Sequence, residues 1–413
     1  MSDWPTSLFT GLFTRFGPTP ARPHDPAFAL CAGLAASWLP HHEISSASGI
    51  GADQAAADGA CVGEAIERLQ AGPLPSDAFV TARYGDWPLS EPAVDPARWV
   101  LFHADQYAAV GFPFTPLTTE TECAWVCCRQ AITGEPWWVP AELAYLHQPA
   151  GHHFCPGYST GLACGRTGHP MLLRGLQEVI ERDAVVGGWW GRYPLEEHTC
   201  ADVTALLGDD IRVHCLRPNL TYRCIRVVTP FSDHVTMVTL EGEDREGYVF
   251  SIGSACRETR RASWEKSLLE AIHGRHYARY LKSQIASDVM TMAPTPTSFA
   301  EHAVYHSMHP TRIEATALGQ SLKRERSEES EASLTLQPLT NLIERLGPER
   351  PVLFRSMTPV GLAAENLDWH VLRVIVPGLQ PLHGHHSYPH LGGPLWSPRG
   401  LADWRAMPPH PFP

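Results

Sequence analysis

The stretch STGLACGRTGHPMLLRGLQEVIERDA (residues 159–184) decides the reading of this chain. A run of small residues passes into a segment whose side chains sort cleanly at the 100° per residue of an α-helix. Leu172, Leu173, Leu176, Val179 and Ile180 fall on one face, and Glu178, Glu181 and Arg182 on the other. The spacing predicts a helix with an apolar back and a front of two carboxylates and a guanidinium. The same E-x-x-E-R spacing occurs earlier as Glu64, Glu67 and Arg68, again after a run of small residues. A third helix, expected over residues 262–282, gathers Ser263, Lys266, Ser267, Glu270 and His273 on one side, with Leu268, Leu269 and Ile272 behind.

A carboxylate with an arginine four residues on is ordinarily a solvated pair that contributes a few tenths of a kcal/mol. Two matched faces in a chain with only 18% charged residues point elsewhere. Glu64, Glu67, Glu178, Glu181 and Glu270 gathered in one place would repel one another unless cations neutralised them. Mg²⁺ carrying nucleotide phosphates suits such a site, because it prefers one or two carboxylates plus phosphate oxygens to a closed protein cage.

Three runs, GIGADQAAADGACVGEAIER (residues 49–68), the one quoted above and SWEKSLLEAIHGR (residues 263–275), together resemble the YcaO family. The resemblance extends from about residue 47 to the end. It implies an α+β fold of mainly antiparallel sheets covered by long helices, with an ATP site between the Glu-rich helices. It also implies ATP and Mg²⁺ as cofactors, with Glu64, Glu67, Glu178, Glu181 and Glu270 as metal ligands. Ser159, Thr160, Ser263 and His273 join these acids, Arg68 and Arg182 around the nucleotide. The chain departs from the family pattern at Ile50, Ala60, Thr160 and His273, positions that help hold nucleotide in relatives.

The formal net charge of −12 and the lack of a Lys/Arg run argue against a nucleic-acid partner. The longest apolar stretch, residues 28–39, is too short to span a bilayer and reads as a buried or partner-facing helix. Eleven scattered cysteines without a C-x-x-C pair, and no signal peptide, predict free thiols and a cytoplasmic location.

Residues 1–46 are expected to form a Pro/Phe-rich arm and a short helix ahead of a catalytic domain over residues 47–413. In the arm, prolines block regular structure while Leu8, Phe9, Leu12, Phe13 and Phe16 pack on the protein itself or on a partner. Strands are expected at residues 124–139, as a hairpin about Thr133-Gly134, and at 211–216, 224–229, 234–240, 248–252, 351–355 and 370–376. Residues 320–335, which contain KRERSEESEAS, read as a mobile charged loop. Histidines cluster at His152-His153 and at His383, His385, His386 and His390, where a zinc site is conceivable but loop hydrogen bonding is the ordinary role.

The final residues, Pro409-His410-Pro411-Phe412-Pro413, carry proline at alternate positions and predict a stiff, extended tail over residues 407–413. A P-x-P-x-P terminus resembles that of azoline-forming YcaO cyclodehydratases, in which the tail supports catalysis. The resemblance thus implies roles in catalysis for Pro409, Pro411 and Pro413, with Arg182 orienting phosphates. It further implies an enzyme acting on a ribosomal precursor peptide in a multi-subunit synthetase. A separately encoded ThiF-like or other leader-binding protein and an FMN-dependent dehydrogenase would be its partners, with a homodimer left open. A thioamide- or amidine-forming YcaO enzyme and a scaffold subunit without ATP turnover are the alternatives.

Overall fold

Residues that alternate between core and solvent build three antiparallel sheets, and the long amphipathic segments cover them. The computed structural model describes every residue except 1–11, 23, 36–45, 73–77, 147–152, 246, 322–333, 359–367 and 397–398. Strands β1 (Phe13–Pro18), β2 (Ala29–Ala35) and β3 (Ser46–Gly51) form the first sheet. In the second, β4 (Phe79–Ala82), β5 (Cys123–Gln130), β6 (Pro136–Pro140), β7 (Leu162–Gly165), β12 (Leu353–Ser356) and β13 (His370–Ile375) run in the order β4-β5-β12-β13-β7, with β6 also paired to β5. The third has the order β11-β10-β9-β8, from β8 (Leu195–His198), β9 (Thr221–Val227), β10 (Val235–Asp244) and β11 (Gly247–Cys256).

Helix α1 (Gln54–Gln70) lies on β3 and β2, and α3 (Arg260–Ala286) lies on β11 and β10. Helix α2 (Met171–Trp189) packs against both β13 and β11 and so joins the second and third sheets. Side-chain caps start two of these helices: Asp53 accepts from the Ala56 amide at 2.8 Å, and Thr259 from the Ala262 amide at 3.1 Å. Leu176 and Ile180 on the back of α2 are fully buried, each contributing about 1.5–3 kcal/mol by removal from water.

Glycine permits the two closest strand–helix approaches. A Cβ on Gly49 of β3 would sit 2.1 Å from the Ala57 carbonyl oxygen of α1. One on Gly253 of β11 would sit 2.2 Å from the Ser267 carbonyl oxygen of α3. Any larger residue would push these helices, and the carboxylates they carry, away from their sheets.

The hairpin about Thr133-Gly134 forms as expected, with Trp125 facing Pro140 and Arg129 facing Pro136. Three expectations need correction. Within residues 28–39 the described part is strand β2, not helix: Cys31 and Gly33 are buried while Ala32 and Leu34 are exposed, a period of two. The N-terminal segment is not free of regular structure, because β1 pairs with β2 and buries Leu12 and Phe13, with Phe16 packed beside them. Pro18 is tolerated there because it ends the strand. Leu8 and Phe9 lie outside the described residues.

Residues 209–215 form a helix instead of a strand, opened by Gly208 at the end of the helix before it. Ile211 and Cys215, four apart, join the core cluster of Trp264 and Leu268, whereas Val213 between them is exposed. The charged segment 322–333 lies outside the described residues. All eleven cysteines are free, and among the described residues no helix is long and apolar enough to cross a membrane.

Candidate active site

The front of α2 faces inward. Glu181 is buried, and Glu178 and Arg182 are half-buried. Glu181 accepts from the Ser254 hydroxyl at 2.6 Å and from the Cys256 amide at 3.2 Å, which fixes α2 to β11 at the carboxylate itself. Arg182 approaches Glu178 at 3.9 Å without a hydrogen bond among the described residues.

From α1, Glu64 accepts from the Ser48 amide at 2.7 Å and pairs with Arg68, which also donates to the Ser46 carbonyl. These contacts tie the acidic turn of α1 to the start of β3. From α3, Lys266 holds Glu270 at 3.0 Å.

All five glutamates share one electrostatic environment. Burial, then Glu178 and Glu64, push the Glu67 carboxyl up to about 8 against the pull of Arg68 and Arg373. Burial raises Glu178 to about 7; Arg182 opposes it, whereas Glu181 and Glu270 add to it. Glu181 is also raised, chiefly by burial. Burial would raise Glu270 too, but Lys266, Arg257 and Arg182 outweigh it and hold this carboxyl below its ordinary value. His273 is kept neutral by burial and senses Glu64 and Glu270. Carboxyls that retain protons near neutral pH through burial and, beyond it, mutual repulsion mark a site short of positive charge. That is the condition a divalent cation relieves.

Two arginines that sequence reasoning passed over complete the site. Arg373 on β13 is 1% exposed, donates to the Tyr158 carbonyl at 2.9 Å and lies 5.1 Å from the centre of the Tyr158 ring. Its Nε has no partner among the described residues, and its charge acts on both Glu67 and Glu178. The signal was an arginine inside the apolar run VLRVIV. Arg257 acts on Glu181 and Glu270, and its amide donates to the Ser263 hydroxyl at 2.8 Å. Ser263 in turn donates to the Thr259 carbonyl, so this hydroxyl is engaged within the fold and positions Arg257.

The segment 159–170 is not simply a loop into the helix, because β7 intervenes before α2 begins at Met171. Ser159 is exposed in the turn ahead of β7, while Thr160 and Arg373 both line a cavity of about 40 Å³. Ile50 packs against the apolar cluster of Trp264, Leu268 and Ile272, and Ala60 is exposed.

The tail is buried from Pro408 to Phe412, and Pro413 is exposed. Helix α4 (Phe299–Met308) grips it: His302 Nδ1 donates to the His410 carbonyl and His306 Nε2 to the Pro409 carbonyl, each at 2.8 Å. Phe412 meets Trp189 edge-on at the C-terminal end of α2. Trp189 is eight residues, about 12 Å of helix, beyond Glu181. The His302–His306 pair was readable as an i, i+4 spacing but lies outside the histidine clusters singled out above. Of those clusters, His153 is 3.7 Å from Glu142, and His152 lies outside the described residues.

With this geometry in hand, the YcaO family model, described as a cyclodehydratase that binds ATP and Mg²⁺, matches residues 48–380. The chain belongs to the YcaO family. Among solved structures, a heterocyclase in complex with substrate and cofactor aligns over 98% of this chain and 55% of its own, at 15% identity and TM-score 0.69. YcaO from Methanopyrus kandleri, bound with AMPPCP and Mg²⁺, aligns over 89% and 86% at 19% identity and TM-score 0.58. A chain of the E. coli microcin synthetase McbBCD complex aligns over 100% and 98% at 13% identity and TM-score 0.64. The chain thus spans about half of the heterocyclase and nearly the whole of the microcin synthetase chain. No curated protein sequence matches it significantly.

Proposed function

We propose that the chain is an ATP-dependent cyclodehydratase that converts Cys, Ser or Thr of a ribosomal precursor peptide to thiazoline or oxazoline. The convergence of five carboxylates from three helices on one positively under-compensated site carries this reading. Membership of a family of ATP- and Mg²⁺-binding cyclodehydratases supports it. Glu64, Glu67, Glu178, Glu181 and Glu270 would hold Mg²⁺, which supplies charge neutralisation for phosphoryl transfer. Arg182, without a hydrogen bond in the described chain, would orient phosphate oxygens, with Arg68, Thr160, Ser159 and His273 nearer the nucleotide's rim.

In this chemistry the substrate thiol or hydroxyl gives its proton to a base and attacks the preceding amide carbon, and the carbonyl electron pair moves onto oxygen. That oxygen takes the γ-phosphoryl group of ATP and releases ADP. Loss of the amide proton forms the ring C=N bond as phosphate leaves with the former carbonyl oxygen. The protein's share is positioning and electrostatics, because the oxygen becomes a leaving group only once phosphorylated. The tail, with Pro409 and Pro411 buried, would present the Pro413 carboxylate toward the reacting peptide. Leader recognition and oxidation to azole would fall to partners, a ThiF-like or leader-binding protein and an FMN-dependent dehydrogenase. The solved E. coli microcin synthetase McbBCD complex with pro-MccB17 bound is a structural neighbour, which supports a multi-subunit setting for this reading.

Ile50 in an apolar cluster favours a second reading, a scaffold subunit without ATP turnover. The test is incubation of chain, partner, precursor peptide and Mg-ATP. Loss of one water from the peptide per ADP and phosphate formed supports cyclodehydration. With sulfide also supplied, replacement of oxygen by sulfur would point to thioamide formation, and an unchanged peptide with no ATP consumed to the scaffold.

A further inference from the structure

Behind the tail lies a set of buried imidazoles that the chemistry above does not use. His302 on α4, His383 and His386 are each buried, and one ring nitrogen from each lies within 4.8 Å of the other two. Their hydrogen bonds fix which nitrogens keep a lone pair. His302 Nδ1 must donate, since its partner is the His410 carbonyl, so Nε2 carries a lone pair and no partner. His386 is held by the Met407 carbonyl, and its Nδ1 is the nitrogen without a partner. Both ring nitrogens of His383 lack a partner among the described residues.

Each of the three converging neutral rings therefore keeps a lone pair without a partner among the described residues, with a single uncommitted N–H, that of His383, to share among them. An isolated buried acceptor costs about 1–3 kcal/mol, and native interiors rarely leave three together. A cation satisfies all three at once. The two carbonyls that orient His302 and His386 occupy the outer positions usual behind metal-bound imidazole. Burial keeps the rings in the form that ligates, holding His302 down to about 3 and His386 to about 4.

We propose that His302, His383 and His386 form a site for a divalent transition metal of the zinc class, and that this ion staples the C-terminal tail into the molecule. Imidazole nitrogen without thiolate or carboxylate suits zinc, with a water as fourth ligand. Tetrahedral zinc places its nitrogens about 3.4 Å apart, so from separations of at most 4.8 Å the rings close by no more than about 1.4 Å on binding. His410 stacks on His302 with ring centres 3.7 Å apart and donates from Nε2 to the His383 carbonyl at 2.7 Å. Ordering the triad thereby orders the tail: Met407 and His410 each bond a ligand ring. The role is structural, because the rings are enclosed by α4, Trp404 and the tail.

The test is metal analysis of the purified full chain after supply of Zn²⁺ and gel filtration. About one zinc per chain is expected, retained in Glu178→Gln/Glu181→Gln and lost in His383→Ala. Cobalt in its place should give the intense visible bands of a tetrahedral nitrogen site. In the same wild-type sample, chelation should speed carboxypeptidase release of Pro413 and Phe412 by about tenfold or more. If His383→Ala fails to fold, the cobalt spectrum and the chelation experiment decide the matter on the native chain. A folded chain that takes up no zinc would overturn the proposal. So would metal that follows the glutamates instead of His383, a pale octahedral cobalt spectrum, or a tail equally protected with and without chelator.

Discussion

Raising the pH should switch on cation binding at the glutamate cluster. Glu67 and Glu178 sit at about 8 and about 7, against an ordinary 4.5, because burial and neighbouring carboxylates favour their protonated forms. The folded chain therefore holds more protons than the unfolded chain between these values. The stability these carboxyls contribute is complete below pH 4.5 and falls as the pH rises through 7 and then 8 in the metal-free protein. Mg²⁺ has the opposite requirement, since it binds the ionised forms. The share of molecules with both groups ionised climbs from about one in a thousand at pH 6 to about three in four at pH 8.5, so apparent Mg²⁺ affinity should rise roughly a thousandfold. Glu270, held below its ordinary value, is already ionised and adds nothing to that change. Calorimetric titration in two buffers of different ionisation enthalpy counts the protons released on binding, and roughly two per Mg²⁺ are expected at pH 6.5 from Glu67 and Glu178, with Glu181, also raised by burial, adding to them. An affinity that stays flat from pH 6 to 8.5, with no proton release, would refute the assignment of Glu67 and Glu178 to the cation site.

Three further substitutions test the surroundings. Arg373→Met removes the buried charge that opposes the rise of Glu67 and Glu178; urea unfolding should show a loss of about 3–5 kcal/mol, and the pH midpoint of Mg²⁺ binding should move upward. Gly253→Ala drives a methyl group against the Ser267 carbonyl, and the same unfolding assay should register a cost of about 1–3 kcal/mol together with weaker nucleotide binding. Phe412→Ala empties a buried site beside Trp189 and should cost about 3–5 kcal/mol, read as a lower thermal midpoint.

Sequence periodicity carried far where a single face decides burial. The apolar back of α2, the acids of its front and the matching turn of α1 were legible because helix spacing alone places Glu64 with Glu67 and Glu178 with Glu181. Period also favoured β5, β6 and β9 to β13. It failed at residues 209–215, where Ile211 and Val213 have strand propensity but tertiary packing selects Ile211 and Cys215 at helical spacing. It failed again at β2, where small apolar residues on both faces hide the alternation. Arg373 and Arg257 were missed for a different reason. Arg373 acquires its meaning from Glu67 and Glu178, hundreds of residues away in the chain, and Arg257 from Glu181 on a different helix, and no local pattern records either proximity. The histidine triad shows the same limit: His302 stands about eighty residues before His383, and tertiary packing brings the rings together, with the His386 amide donating to the Pro296 carbonyl at 2.9 Å.

The most direct test of the site is titration of Mg-ATP into the purified chain at pH 8, repeated with Glu178→Gln/Glu181→Gln. The double variant removes two charges from an under-compensated cluster, so it should fold at least as stably as the native chain without metal. Saturable, Mg²⁺-dependent binding to the native chain that disappears in the double variant is the predicted result. Undiminished binding by the variant, or none by a well-folded native chain even with its partner present, would contradict it.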